Sequence, residues 1–311
     1  MSQSKIIFVT GPTASGKSSL AMQLARQERG TIINADSMQV YSGLPILSAH
    51  PPLEDQAEIP HKLYGVFAPS ERSSAGRWVA LAQAAIRETV QEGRTPILAG
   101  GTGLYIRTLV QGIAEIPSIP DSVRAEALGL YDEWGEEKFR RELAQLDPVS
   151  AERLARNDRQ RLVRAFEVAR HTGMALSEWQ KTGVRDQGLE KKDYVQIPDY
   201  RPLPPECHLL MPPREELYAK CDQRFLAMME QGAVEEVQRF RKLNIDPTLP
   251  AAKTIGAHEL ADFLDGKISR EEAIRKSQQA TRNYAKRQMT WFRNQKLPFD
   301  SSSVKSPTSA S

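Results

Sequence analysis

Residues 5–27 read KIIFVTGPTASGKSSLAMQLARQ. A short apolar, β-branched run stops at Gly11, and from Ser18 to Gln27 the pattern turns helical, which predicts a strand, a glycine loop and a helix. The loop, Gly11, Pro12, Thr13, Ala14, Ser15, Gly16, Lys17 and Ser18, fits GxxxxGK[ST] in the strand-to-helix context that the motif requires. Its glycines let backbone amides close around phosphate oxygens, and the helix N-terminus adds positive potential. Lys17 supplies a charge, and the Ser18 hydroxyl suits Mg²⁺. The loop leaves open whether the phosphate belongs to ATP, to another nucleotide or to an allylic diphosphate.

Working outward, TIINA at 31–35 reads as a second strand ending at Asp36, and TPILA at 95–99 as a third ending in Gly100, Gly101 and Thr102. Between them, Ala75 to Gln91 has helical composition, with Trp78, Leu81, Ala85 and Ile86 able to face a sheet. Alternating strands and helices predict a parallel sheet whose ligands bind beyond the carboxyl ends of the strands, placing Asp36 and Thr102 on one rim with the loop. A P-loop protein that hydrolyses nucleotides carries an acid at the end of an apolar strand, but this strand ends ILAGGTG. Asp36 lies instead on the acceptor side, where a general base for an incoming nucleophile belongs. Asp in NADSMQ equally suits a turn or a helix N-cap.

The chain has 311 residues, room for roughly two domains at about 150 residues each. Hydrophobic residues at 40% and charged residues at 26% exclude a wholly disordered or collagen-like chain. With 42 Lys and Arg against 39 Asp and Glu, the net charge of +3 diagnoses no polyanion partner. Neither a secretory leader nor an apolar run of roughly 20 residues is present, so a cytoplasmic protein without membrane contact is expected. Cys207 and Cys221 form no spaced pair, and the five histidines lack metal-ligand spacing, which argues against structural zinc. Residues 1–115 read as the first part of a P-loop core, 116–185 as a helical insertion, 186–300 as a return to the core with C-terminal helices, and 301–311 as a disordered tail.

Local basic surfaces stand out against the neutral total. Ala151 to Arg170 holds six Arg and three acids. Leu162, Phe166 and Ala169 make an apolar helical face; Arg161 and Arg164 lie on another, with Gln160 one turn from Arg164. Such a face suits a phosphate backbone, or is an ordinary solvated helix surface. In the last long helical pattern, Arg282, Lys286 and Arg293 share a stripe opposite Ala285, Met289 and Phe292.

These residues resemble one family, the tRNA dimethylallyltransferases, also called tRNA isopentenyltransferases. The similarity rests on GPTASGKS (11–18), DSMQVYSGLPI (36–46), AGGTGLY (99–105), DPVSAERLARNDRQRLVRAFEV (147–168), PPREELYAKCDQRFLAMMEQGAVEEV (212–237) and TRNYAKRQMTW (281–291). The resemblance implies an α/β fold, a P-loop NTPase-like parallel sheet core with an inserted helical tRNA-binding domain. It also implies transfer of a dimethylallyl group from dimethylallyl diphosphate to N6 of the tRNA adenosine at position 37, beside the anticodon, in tRNAs reading codons that begin with U. Gly11 to Ser18 and Arg224 would then hold the diphosphate, with Mg²⁺ on Ser18. Asp36 would take the N6 proton, Thr102 would bond near the leaving oxygen, and Ser37, Met38 and Gln39 would help to seat the adenosine. Arg124, Gln160, Arg161, Leu162, Val163 and Arg164 would contact tRNA, and the chain is expected to act as a monomer. ILSAHP at 46–51 departs from the family's common IGTAKP, and IGAHE at 255–259 from IGYKE, so altered substrate contacts are expected there. The competing readings are a small-molecule P-loop kinase, a prenyltransferase acting on free adenine nucleotides, and a non-catalytic RNA-binding module.

Overall fold

The computed structural model describes residues 5–114, 116–183, 195, 203–294 and 304–305. The first group of elements is β1 (Ile6–Thr10), α1 (Lys17–Gln27), β2 (Gly30–Asn34), α2 (Leu53–Glu58), β3 (His61–Lys62), α3 (Ala75–Gln91), β4 (Thr95–Gly100) and α4 (Gly103–Gln111). Four helices follow: α5 (Asp121–Leu146), α6 (Pro148–Arg153), α7 (Arg159–Thr172) and α8 (Leu176–Gly183). Next come β5 (Pro205–Leu209), α9 (Arg214–Glu230), α10 (Ala233–Arg241), a 3₁₀ turn (Ala251–Lys253), α11 (Ala257–Leu264), α12 (Arg270–Asn294) and β6 (Val304–Lys305). The chain divides into two compact units, Met1–Val110 with Leu189–Ser311, and Gln111–Gly188.

In the first unit the strands form one sheet in the order β3-β2-β4-β1-β5-β6, with every neighbouring pair parallel. Successive side chains of β1 point to opposite faces: Ile6 and Phe8 pack with Ile33 and Leu98, Ile7 and Val9 with Ile32 and Ile97. Both sets are covered, which is why β1 reads as an unbroken apolar run rather than an alternating one. Helix α1 buries Ala21, Met22, Leu24 and Ala25 against the second face. The CHLLM stretch supplies β5, which pairs beside β1 with Thr10 opposite Leu209.

Sequence periodicity from 214 to 240 suggests one helix. The structure has two, because Gly232 adopts a left-handed φ of 96° and starts α10 in a new direction. Of the tail read as disordered, Val304 and Lys305 pair alongside Cys207 and His208, and its other residues lie outside the described ones. Among the described residues no helix is long and apolar enough to cross a membrane.

The second unit packs Ala127, Phe139, Leu143, Ala151, Leu162, Val163 and Phe166 into its own core. Gly135, at φ 71°, interrupts α5. Asp147 is fully buried and caps α6. It accepts hydrogen bonds from the Ser150 and Ser177 N–H groups at 3.0 Å each and from the Ser177 hydroxyl at 2.7 Å, tying α8 to the α5–α6 corner.

Trp78 links the first unit's fold to its rim. The ring is fully buried and stacks on Tyr105 at 4.4 Å, and its Nε1–H donates to the Asn34 carbonyl at 2.9 Å, two residues before Asp36. Trp78→Phe keeps an aromatic ring but leaves that buried carbonyl without its donor. It should lower stability by roughly 1–3 kcal/mol in urea unfolding; an unchanged midpoint would show that this bond contributes nothing net.

Candidate active site

The parallel register brings four strand ends level. Thr10 sits opposite Gly100 and Leu209, Asn34 opposite Ala99, and the loops that follow share one rim. Asn34 fixes the backbone of Asp36: its Oδ1 accepts from the Asp36 N–H at 2.8 Å, and its Nδ2 donates to the Asp36 and Leu63 carbonyls at 3.1 Å each. One carboxylate oxygen of Asp36, Oδ1, accepts the Met38 N–H at 2.9 Å, so the residue does form the turn that its type favours. Oδ2 has no hydrogen bond among the described residues, and Asp36 lines a cavity of about 210 Å³ with Thr13 and Arg224. Met38, Leu47, Phe225 and Met228 give that cavity an apolar wall. Ser37 bonds Thr102 instead, its N–H reaching the Thr102 Oγ1 at 2.9 Å, and the Gln39 amide is spent on the Ser48 and Ala49 carbonyls.

At the phosphate loop, Ala14 is held at φ 60°, sparsely populated for a residue with a Cβ. The Ser15 hydroxyl is buried with no hydrogen-bond partner. Lys17 Nζ folds back onto the Pro12 carbonyl at 3.1 Å, and Arg224 Nη2 donates to the Thr13 hydroxyl. Burial, reinforced by the nearby Arg224 charge and opposed by Asp36, pulls the Lys17 ammonium down to about 8. Burial likewise lowers Arg224. Two enclosed cations and an orphaned hydroxyl over a helix N-terminus form a site that an anion completes.

One amide of the loop, that of Thr13, is already engaged. Its N–H donates to Gln288 Oε1 at 2.8 Å, while Gln288 Nε2 donates to the Gly101 carbonyl at 3.0 Å. Gln288 belongs to a face of α12 that the sequence pattern does not single out. Tyr284, Gln288 and Trp291, at i, i+4 and i+7, run along residues 101–103: Tyr284 lies beside Thr102, Gln288 holds Gly101, and Trp291 covers Gly103. A Cβ on Gly101 would lie 2.3 Å from the Gln288 amide nitrogen, and one on Gly103 1.9 Å from the Trp291 ring. The glycines of AGGTG therefore make room for a helix. Arg282, read as part of a basic stripe, pairs with Asp222 of α9 and is committed inside the unit.

His50 stands where the family commonly has lysine. Burial pushes its imidazole below the usual histidine range, and its Nε2 is buried without a partner, so it does not replace a permanent cation.

In the second unit, α7 presents Gln160 and Arg161 to solvent, with Arg161 Nη1 3.0 Å from Asp158. Arg164 and Arg124 converge on the buried Glu167, at 2.6 and 3.9 Å. Leu162 and Val163 fall on the apolar side of the helical repeat, and their side chains are buried in the unit's core.

Among the described residues no group of three or more His, Cys, Asp or Glu could hold a metal ion. Ser18, exposed in the first turn of α1, offers one hard oxygen beside the loop. That donor set fits Mg²⁺ in its usual manner, held by few protein oxygens together with substrate phosphates and waters.

Residues 39–295 match the IPP transferase family model and residues 4–64 the isopentenyl transferase model. The chain is 48% identical over 290 residues to a tRNA dimethylallyltransferase of Rhodospirillum centenum, covering 93% of this chain and 88% of that one. It is 46% identical over 291 residues to one of Phenylobacterium zucineum, covering 94% and 90%. A crystal structure of a tRNA isopentenylpyrophosphate transferase from Bacillus halodurans superposes with TM-score 0.64 at 29% identity, covering 98% and 89%. A eukaryotic dimethylallyltransferase captured acting on tRNA superposes with TM-score 0.76 at 28% identity, covering 93% and 70%. The rim that pairs a phosphate loop with a carboxylate thus lies within a match that runs along nearly the full length of the bacterial relatives, and this chain belongs to the tRNA dimethylallyltransferase family.

Proposed function

We propose that this protein transfers the dimethylallyl group of dimethylallyl diphosphate to N6 of the adenosine at tRNA position 37, in tRNAs reading codons that begin with U. The observation that carries the reading is the cavity that joins Asp36 to Arg224 and Thr13 across an apolar wall. The diphosphate lies on the loop, with Lys17 and Arg224 balancing its charge and the Ser15 hydroxyl as a further donor. The five-carbon group lies along Met38, Leu47, Phe225 and Met228. The adenosine leaves its stack to bring N6 to the allylic carbon, at a cost of a few kcal/mol that is lowest in a single-stranded loop. The N6–C1 bond forms as the C1–O bond breaks, Asp36 takes the N6 proton, and the diphosphate leaves with the bonding electron pair. Thr102, held by Ser37, stands between acceptor and leaving group. Ser18 would hold Mg²⁺, which when bound supplies charge neutralisation on the diphosphate. Arg124, Gln160, Arg161 and Arg164 contact the tRNA backbone, and the protein works as a cytoplasmic monomer.

One assay separates this reading from its rivals. Labelled dimethylallyl diphosphate or labelled ATP is offered with tRNA, with AMP or with neither, and label should pass from dimethylallyl diphosphate to tRNA. Transfer from ATP, or to AMP, would replace the proposal with a kinase or a nucleotide prenyltransferase.

Three measurements test the roles. Because Oδ1 of Asp36 also caps Met38, Asp36→Asn is the cleaner variant: it keeps an oxygen for the turn and removes the base. Single-turnover transfer should slow about 10²- to 10⁴-fold with tRNA affinity little changed, and an unchanged rate removes Asp36 as the base. Lys17 binds the anion in its charged form, and its pKa lies near 8 in the free enzyme. Diphosphate affinity should therefore be full below that pH and weaken as pH rises through it, and Lys17→Met should abolish the dependence. A flat wild-type profile would contradict the role. Replacing Arg161 and Arg164 by Ala should weaken tRNA binding and reduce its salt slope by about 0.7–0.9 for each phosphate no longer neutralised. A slope equal to wild type means that tRNA binds elsewhere.

A further inference from the structure

We propose that Gln288 is a positioning residue that sets the leaving-group loop against the acceptor side of the site. The inference rests on the transferase reading above. Its amide is fully used: Oε1 takes the Thr13 N–H at 2.8 Å and Nε2 gives to the Gly101 carbonyl at 3.0 Å, and the side chain is buried. Thr13 in turn accepts a hydrogen bond from Arg224, and Gly101 precedes Thr102, which is bonded to Ser37 beside Asp36. One side chain thus spans the two loops between which the allylic carbon must move.

A mere packing residue at this position needs no polar atoms. The amide supplies a donor and an acceptor, each matched to a loop of opposite need. It also takes the Thr13 amide out of the anion cradle and so ties the loop that receives the diphosphate to α12. Among the described residues no hydrogen bond joins Asp36, Lys17 or Arg224 to Gln288, and their roles do not explain its two bonds. Tyr284, one turn earlier on the same face, lies beside Thr102, so the same helix also borders the acceptor side.

The test is a double-mutant cycle on the transferase as it exists. Gln288→Ala removes both bonds. Gly101→Ala displaces the amide while leaving residue 288 a glutamine, since the new Cβ would lie 2.3 Å from Nε2; it would also lie 3.2 Å from the Gly11 carbonyl, and Gly101 has no left-handed φ to oppose alanine. Gln288→Glu keeps an acceptor for Thr13 and turns a negative oxygen toward the Gly101 carbonyl. Gln288→Ala and Gly101→Ala should each slow single-turnover transfer about 10- to 100-fold, the penalty of a misplacement near 1 Å. The KM for tRNA should stay within about twofold, and Gln288→Glu should fall between these variants and wild type. Gly101→Ala placed in the Gln288→Ala background should add clearly less than it does alone, because the contact that both changes break is already gone and only the approach to the Gly11 carbonyl remains. Thermal unfolding reports the fold of each variant. Loss of Tm with a normal single-turnover rate for the folded enzyme overturns the proposal, as do a rise in KM with unchanged rate and full additivity in the cycle. Failure of wild-type enzyme to label tRNA at all would instead sink the transferase reading, so the two failures are distinct.

Discussion

Parallel pairing of β4 between β1 and β2 sets the scale on which the site is built. Neighbouring strands lie about 4.8 Å apart, so the loops leaving β1 and β2 are separated by two such spacings, about 10 Å. The first carries the anion cradle and the second carries Asp36, with the Gly101–Gly103 segment from β4 between them. A diphosphate, a five-carbon unit and an exocyclic amine placed end to end need a gap of this order. Ladder and packing hold it open together, because shifting a strand by one residue would exchange the side chains that β1 and β4 send to the two covered faces.

What the sheet spaces, α12 holds in place. A loop at a strand's end is free to move unless something covers it, and the 101–103 segment is covered by a helix from the far end of the core. Small residues are required there because the helix approaches closer than a Cβ allows, a use of glycine quite different from the phosphate-binding one in residues 11–18. Glu236 of α10 serves the acceptor side in a similar way. Its two carboxylate oxygens take the Ile46 and Leu47 N–H groups at 2.7 and 2.9 Å and anchor the turn whose carbonyls receive Gln39.

Legibility in the sequence followed the strength of local signals. The β1–loop–α1 unit and α3 were readable because an unbroken apolar run, a spaced glycine–lysine motif and a 3.6-residue repeat each have one structural solution. Asp36 was placed on the rim by its position after a strand, and its second use as a turn former was an alternative that the structure realises alongside the first. Gln288 and Tyr284 were not readable, since a polar or aromatic stripe on a helix looks the same whether it faces water or a loop. Their glycine partners gave the available hint, misdirected by the resemblance of any Gly-rich loop to an anion site. Leu162 and Val163 came by family resemblance, although their place in the helical repeat already assigned them to the core. Arg282 shows the complementary limit, because its acid, Asp222, is 60 residues away in sequence.

The near-neutral total charge conceals two populations of cations with different physics. Lys17 and Arg224 are enclosed, and burial destabilises their charged forms in the free enzyme. An anion that enters the cavity whole removes that cost, and the pair is largely shielded from salt. Arg161 is exposed on α7, and Arg164 and Arg124 share a buried carboxylate at the helix surface. Solvated cations of this kind gain little from any single small anion, but they act together on a polymer of phosphates by releasing its counterions. Burial therefore sorts the arginines and lysines by ligand size: those at the phosphate loop suit a diphosphate, those on the helix surface suit a polynucleotide, and a sum over all of them erases the distinction.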